Sequence, residues 1–81
     1  MIVRLTEPAV RQYESLPPSL QRRAVKQFSY LADNLRHPSL GANKYDQARD
    51  IWQGRVTGDY RFYFTIAGDT YTVLSITKHP K

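Results

Sequence analysis

The sequence predicts an α+β fold: an N-terminal strand, a two-helix hairpin, then a three- to four-stranded antiparallel sheet, in one domain spanning residues 1–81. Three observations predict it. Apolar residues recur at helical spacing in the first half, and the period changes to two from residue 44. Pro17–Pro18 and Pro38 punctuate the helical half, because proline cannot continue a helix and biases the residue before it away from one. Gly58–Asp59 and Ala67–Gly68–Asp69 supply hairpin turns between the alternating runs.

The elements follow in order. "IVRL" (2–5) is short, β-branched and alternating, and forms the first strand. Thr6 then caps a helix, with Glu7 in its first turn and Pro8 where a missing N–H costs least. Leu5, Ala9, Tyr13 and Leu16 give this helix one apolar side, and "LPPS" ends it. Ser19 is the predicted cap of a longer second helix. Its stripe is Leu20, Ala24, Phe28, Leu31 and Leu35, widened by Val25 and Ala32. Arg22, Arg23, Lys26 and Gln27 lie off that stripe, and the three basic residues read as a solvated face or, less simply, a contact with a partner or the ribosome. Pro38 stops the helix after His37, and "HPSLGAN" is a loop. "KYDQARD" is an edge strand or a loop, and residues 51–57, 60–66 and 70–77 are three successive strands.

Composition narrows the functional classes. A chain of 81 residues is close to the size at which one core struggles to hold a fold, and without cysteine neither disulfides nor a thiolate metal site can help. The N-terminus lacks the apolar run of a signal peptide and no stretch approaches transmembrane length, so a soluble, cytoplasmic chain without membrane contact is expected. The net charge of +5 suits a polyanion or an acidic protein as partner. Asp46, Asp50, His37 and His79 match no standard metal spacing, and no Gly-rich phosphate loop, nucleophile elbow or paired-acid motif appears, so no metal or cofactor is expected.

Strand parity sorts the sheet into two faces. Trp52, Val56, Tyr60, Phe62, Phe64, Ile66, Thr72, Leu74 and Ile76 turn toward the helices, with Gly54 leaving space between Trp52 and Val56. Gln53, Arg55, Arg61, Tyr63, Tyr71 and Ser75 turn the other way, and His79 joins them if the last strand stays extended. Guanidinium groups grip phosphates, aromatic rings stack on unpaired bases, and a histidine can move a proton during phosphodiester cleavage. The same residue types also suit an ordinary solvated sheet face.

The run "LTEPAVRQYESLPPSLQRRAVKQFSYLADNLRHPSLGANKY", followed by "DIWQGRVTGDYRFYFTIAGDTYTVLSITKHPK", resembles the RelE/ParE superfamily of bacterial toxin–antitoxin toxins over nearly the whole chain. The most specific part is "IWQGRVTGDYRFYFTI", which looks like the family's tryptophan–basic–hairpin–"YR" signature. The resemblance implies a microbial RNase-like fold and one of two activities. RelE-type members cut messenger RNA in the ribosomal A site without a metal; ParE-type members poison DNA gyrase. A copy that only binds antitoxin is a third reading. It further implies a cognate antitoxin, ribosome and mRNA as partners, and operator DNA bound through the antitoxin.

By the same resemblance Arg61, Arg55 and His79 are the catalytic candidates: the arginines stabilise phosphate charge and His79 moves a proton. Lys44, Gln53, Tyr63, Tyr71 and Lys78 are the RNA-binding candidates. Gln53 stands where some members carry a catalytic lysine. The C-terminal tyrosine of many RNase members has no counterpart before the chain ends at Lys81, and Tyr63 or Tyr71 is its candidate substitute.

Overall fold

The computed structural model describes residues 1–79. Along the chain come β1 (Ile2–Leu5), α1 (Glu7–Glu14), α2 (Pro18–Asp33), a 3-10 turn (Pro38–Leu40), β2 (Asn43–Asp46), β3 (Ile51–Arg55), β4 (Tyr60–Ala67) and β5 (Thr70–Lys78). They build one five-stranded sheet in the order β1-β5-β4-β3-β2. β1 runs parallel to β5, and the other pairs are antiparallel. "KYDQARD" therefore resolves into an edge strand and a turn. The parallel seam between first and last strands is a pairing that local periodicity does not reveal.

Thr6 links β1 to α1. Its hydroxyl accepts from the Ala9 N–H as the helix cap and donates to the Leu74 carbonyl, while its own N–H donates to the Val73 carbonyl. Beyond β1 the edge of β5 would lie bare, and Gln12 of α1 meets it: its Oε1 accepts from the Ile76 N–H at 2.7 Å. One helix thus satisfies strand groups that a sixth strand would otherwise have to meet.

α2 begins at Pro18, with Pro17 rather than the expected Ser19 at the cap position. A proline at the first helical position has no N–H to lose and a φ already set for the helix, so the two prolines open α2 as well as closing α1. The buried stripe of α2 is Ala24, Gln27 and Leu31, flanked by Leu20 and Phe28. Val25, expected on the stripe, is 54% exposed, and Gln27, expected in solvent, is fully buried. Leu40, in the expected loop, is also fully buried and belongs to the core.

Both helices share one core with Phe62, Phe64, Val73 and Ile76 and so cover one face of the sheet. Phe28 meets Phe62 edge-on, with ring centroids 5.1 Å apart. Gly54 lies under that ring: a Cβ built there would stand 2.5 Å from the Phe62 Cζ. Phe62 is packed against Phe28 and Phe64 and cannot swing clear. Gly54→Ala should therefore cost about 1–3 kcal/mol of overpacking strain, lowering Tm by roughly 5–20 °C for a domain of this size. An unchanged calorimetric melt would refute this close approach. Among the described residues no helix is long and apolar enough to cross a membrane.

Candidate functional site on the open sheet face

The face away from the helices is ordered by strand pairing. Gln53 lies opposite Tyr63, Arg55 opposite Arg61, Tyr63 opposite Ser75, and Arg61 opposite Thr77. Continued alternation puts His79 in the row of Ser75 and Thr77, and its N–H donates to the Asp59 carbonyl at 2.6 Å, so the chain stays extended past β5. Arg55 and Arg61 therefore share one end of the face, and the His79 backbone runs along the Asp59 end of β4.

Arg55 and Arg61 are directly opposed like charges, an arrangement that costs stability in an isolated sheet. The ion pairs among the described residues are Glu7–Arg11, Lys44–Asp50 and Asp46–Arg49. None of them reaches Arg55, Arg61 or His79. Two arginines paired across β3 and β4, neither held by a carboxylate among the described residues, leave positive charge for an anion from outside.

Each arginine has its own support. Arg61 Nη1 donates to the carbonyls of Thr57 at 2.7 Å and Gly58 at 3.1 Å, which anchors it on the turn before β4. Nε and Nη2, the edge that binds a phosphate bidentately, have no hydrogen-bond partner among the described residues. Arg55 is exposed, and its guanidinium lies along Gly41, where a Cβ would come within 3.5 Å of Nη2. Its carbonyl accepts from Gln27 Nε2 at 2.7 Å. Arg23 Nε donates to the next carbonyl, that of Val56, at 3.1 Å. α2 thus holds the arginine-bearing end of β3 from behind the sheet.

Three of the expected RNA contacts stand elsewhere. Tyr71 is only 6% exposed and meets Phe64 edge-on in the core. The cause is a bulge. Tyr63 faces Ser75 but Phe64 faces Val73, so Leu74 is an extra residue and everything before it turns over. Val73 and Tyr71 take the core positions expected for Leu74 and Thr72. Lys44 lies opposite Trp52, with its ammonium 4.9 Å from the centre of the indole ring and an ion pair to Asp50. That places it on the helix side of the sheet, away from the arginines. Lys78 is opposite Tyr60, in the pleat row of Phe62 and Ile76, and reaches the open face only at the rim of a cleft.

That cleft, about 390 Å³ in volume, adjoins the arginines and is lined by Tyr45, Ile51, Tyr63, Leu74, Ser75, Thr77 and Lys78. The Tyr45 and Tyr63 rings are 4.8 Å apart, tilted by 59°. Tyr45, Ile51 and Leu74 were not expected here. Leu74 comes from the β5 bulge, while Tyr45, two residues after the Asn43 that pairs with Gln53, shares that face by alternation, at an irregularity between the pairs Lys44–Trp52 and Asp46–Ile51. Ile51 was legible in principle, being two residues before Gln53. Among the described residues no group of three or more His, Cys, Asp or Glu gathers where a metal could sit.

No family model matches the chain, and no curated protein sequence matches it. Solved structures do. The archaeal RelE–RelB complex from Pyrococcus horikoshii OT3 superposes with a TM-score of 0.78 at 20% identity, covering 95% of this chain and 92% of that one. The intact Escherichia coli RelBE toxin–antitoxin complex gives 0.78 at 16% identity, covering 99% and 98%. The toxin–antitoxin complex RelBE2 from Mycobacterium tuberculosis gives 0.71 at 25% identity, covering 99% and 92%.

Proposed function

We propose that this chain, which has the fold of the RelE-like toxins, is the toxin of a toxin–antitoxin pair and cuts messenger RNA on the ribosome with the open face of its sheet. The observation that carries the reading is the Arg55–Arg61 pair, opposed across two strands with no carboxylate partner and His79 in the next row. Arg61 grips the scissile phosphate with Nε and Nη2, and Arg55 adds charge beside it. The upstream 2′-oxygen forms a bond to phosphorus as the bond to the 5′-oxygen breaks. The 2′-hydroxyl gives up its proton, the 5′-oxygen gains one, and His79 carries one of these transfers. A cyclic phosphate and a 5′-hydroxyl result.

Gln53 favours a second reading, a gyrase poison on the same fold, because an amide beside Tyr63 supplies neither a charge nor a movable proton. Induced expression in a bacterial host separates the two. Loss of translation, with new messenger RNA 5′ ends inside coding regions, supports the nuclease. Arrested DNA synthesis with intact messages supports the gyrase reading.

The partner proposed is an acidic antitoxin segment that folds on the basic toxin and carries any operator binding. The similar structures reported above include RelE–RelB and RelBE complexes, and the charge of +5 suits an acidic segment. Binding to the folded state alone stabilises it by about 2.7 kcal/mol at a hundredfold excess over Kd. For a domain of this size that raises Tm by roughly 10–20 °C. A co-purified complex melting no higher than the free chain would remove this partner.

A further inference from the structure

We propose that the cleft lined by the touching rings of Tyr45 and Tyr63 takes one unpaired base of the RNA whose phosphate lies on Arg61, and so selects the base beside the cut. The proposal rests on the nuclease reading.

Tyr45 is the observation that asks for a ligand. It is 60% exposed, on an edge strand, and its ring touches only one other aromatic ring, that of Tyr63. An exposed tyrosine alone is ordinary at a protein surface; what marks this one is that its ring and that of Tyr63 together line the cleft. The space beside it has the chemistry of a base site. The two tyrosines offer ring faces, and stacking on them tolerates any base. Ile51 and Leu74 add apolar lining, and Ser75 and Thr77 add residues that bear a hydroxyl, a group able to donate to or accept from a base edge.

The position relative to the arginines fits one nucleotide. Tyr63 and Arg61 are two residues apart on the same face of β4, about 7 Å at the rise of a strand. A base on Tyr63 would therefore lie on the same face as Arg61, whose free Nε and Nη2 are open to the neighbouring phosphate. The nearby carboxylate, Asp46, is already paired with Arg49, its Oδ2 lying 3.5 Å from the guanidinium. An apolar peptide side chain would fill the same cleft, but it would make no use of the Ser75 and Thr77 hydroxyls.

The test uses the full chain freed of any partner. It is titrated with 2′-O-methylated single-stranded RNA pentamers, which it cannot cut, differing at one central base. Tyr45→Ala should weaken binding by about 5- to 150-fold, the range of one lost stacking contact. It should flatten the preference for the central base and leave the dependence on salt unchanged. Tyr45→Phe should restore the binding. Arg61→Ala should instead reduce the slope of log K against log salt by about 0.7, the signature of one lost phosphate contact on a single strand. Loss of binding in Tyr45→Ala without cutting by the parent on ribosomes would keep the pocket and sink the nuclease. Equal binding by Tyr45→Ala and the parent would overturn the pocket and leave the nuclease standing. The pocket also falls if the tyrosine ring resonances shift with an acidic peptide and not with RNA.

Discussion

Arg61→Ala should end growth arrest on induction and lower RNA cleavage by about 10²–10³-fold, the loss typical of removing one preorganised group that stabilises charge in a transition state. The protein should remain folded. Arg61 lies at the sheet surface, and what the fold loses is its hydrogen bonds to the Thr57 and Gly58 carbonyls. Those carbonyls belong to a turn that water can reach, so the cost should stay near 1 kcal/mol. Relief of the repulsion between Arg61 and Arg55 offsets part of it. Arg61→Lys sharpens the test. It keeps the charge but loses the planar fork, so activity should fall most of the way toward the alanine level while the melt is unchanged. Full toxicity in Arg61→Ala, with the fold intact, would show that the arginine pair does not hold the scissile phosphate.

How far the sequence carries depends on whether a feature is local. Thr6 as a cap and the alternation of β4 depend on neighbours a few residues away, and each is found where expected, whereas Gly54, expected to leave space between Trp52 and Val56, lies under the Phe62 ring across the strand pair. The row Gln53, Arg55, Arg61, Tyr63 and Ser75 follows from the same period. A bulge, by contrast, is a property of two strands. Nothing in "TYTVLSITK" marks Leu74 as the extra residue, because both "T-L-I" and "Y-V-I" read as apolar rows. That single insertion moves Tyr71 from the RNA-binding candidates into the core and brings Leu74 out to the cleft. The pairing of β1 with β5 is hidden for a related reason, since its partners lie at opposite ends of the chain. Gln27 was misplaced differently. Its angle fits the stripe of Leu20, Ala24 and Leu31, and only its polarity placed it in solvent.

Gln27 should accordingly be one of the most sensitive positions in the molecule. It is fully buried and all its polar atoms are engaged. Nε2 donates to the carbonyls of Ser39 at 2.9 Å and Arg55 at 2.7 Å, and Oε1 accepts from Ser39 Oγ at 2.8 Å. The amide is needed because β2 pairs with β3 only as far as Gln53. Arg55, two residues on, has no strand partner on that edge and takes its donor from the helix instead. Gln27→Leu keeps most of the volume but leaves these carbonyls without a donor, each costing about 1–3 kcal/mol. The expected loss is about 3–5 kcal/mol in urea unfolding, a large share of the roughly 5–15 kcal/mol that holds a domain together. Gln27→Glu should be at least as harmful, since an ionised carboxylate can only accept and would face two carbonyls. In conditions where Gln27→Leu stays folded, its cleavage rate should fall further than its stability explains, because the strand end that carries Arg55 is released. A variant that unfolds within 1 kcal/mol of the parent would refute the network. A destabilised variant with parental activity per folded molecule would confine Gln27 to the fold and detach it from Arg55.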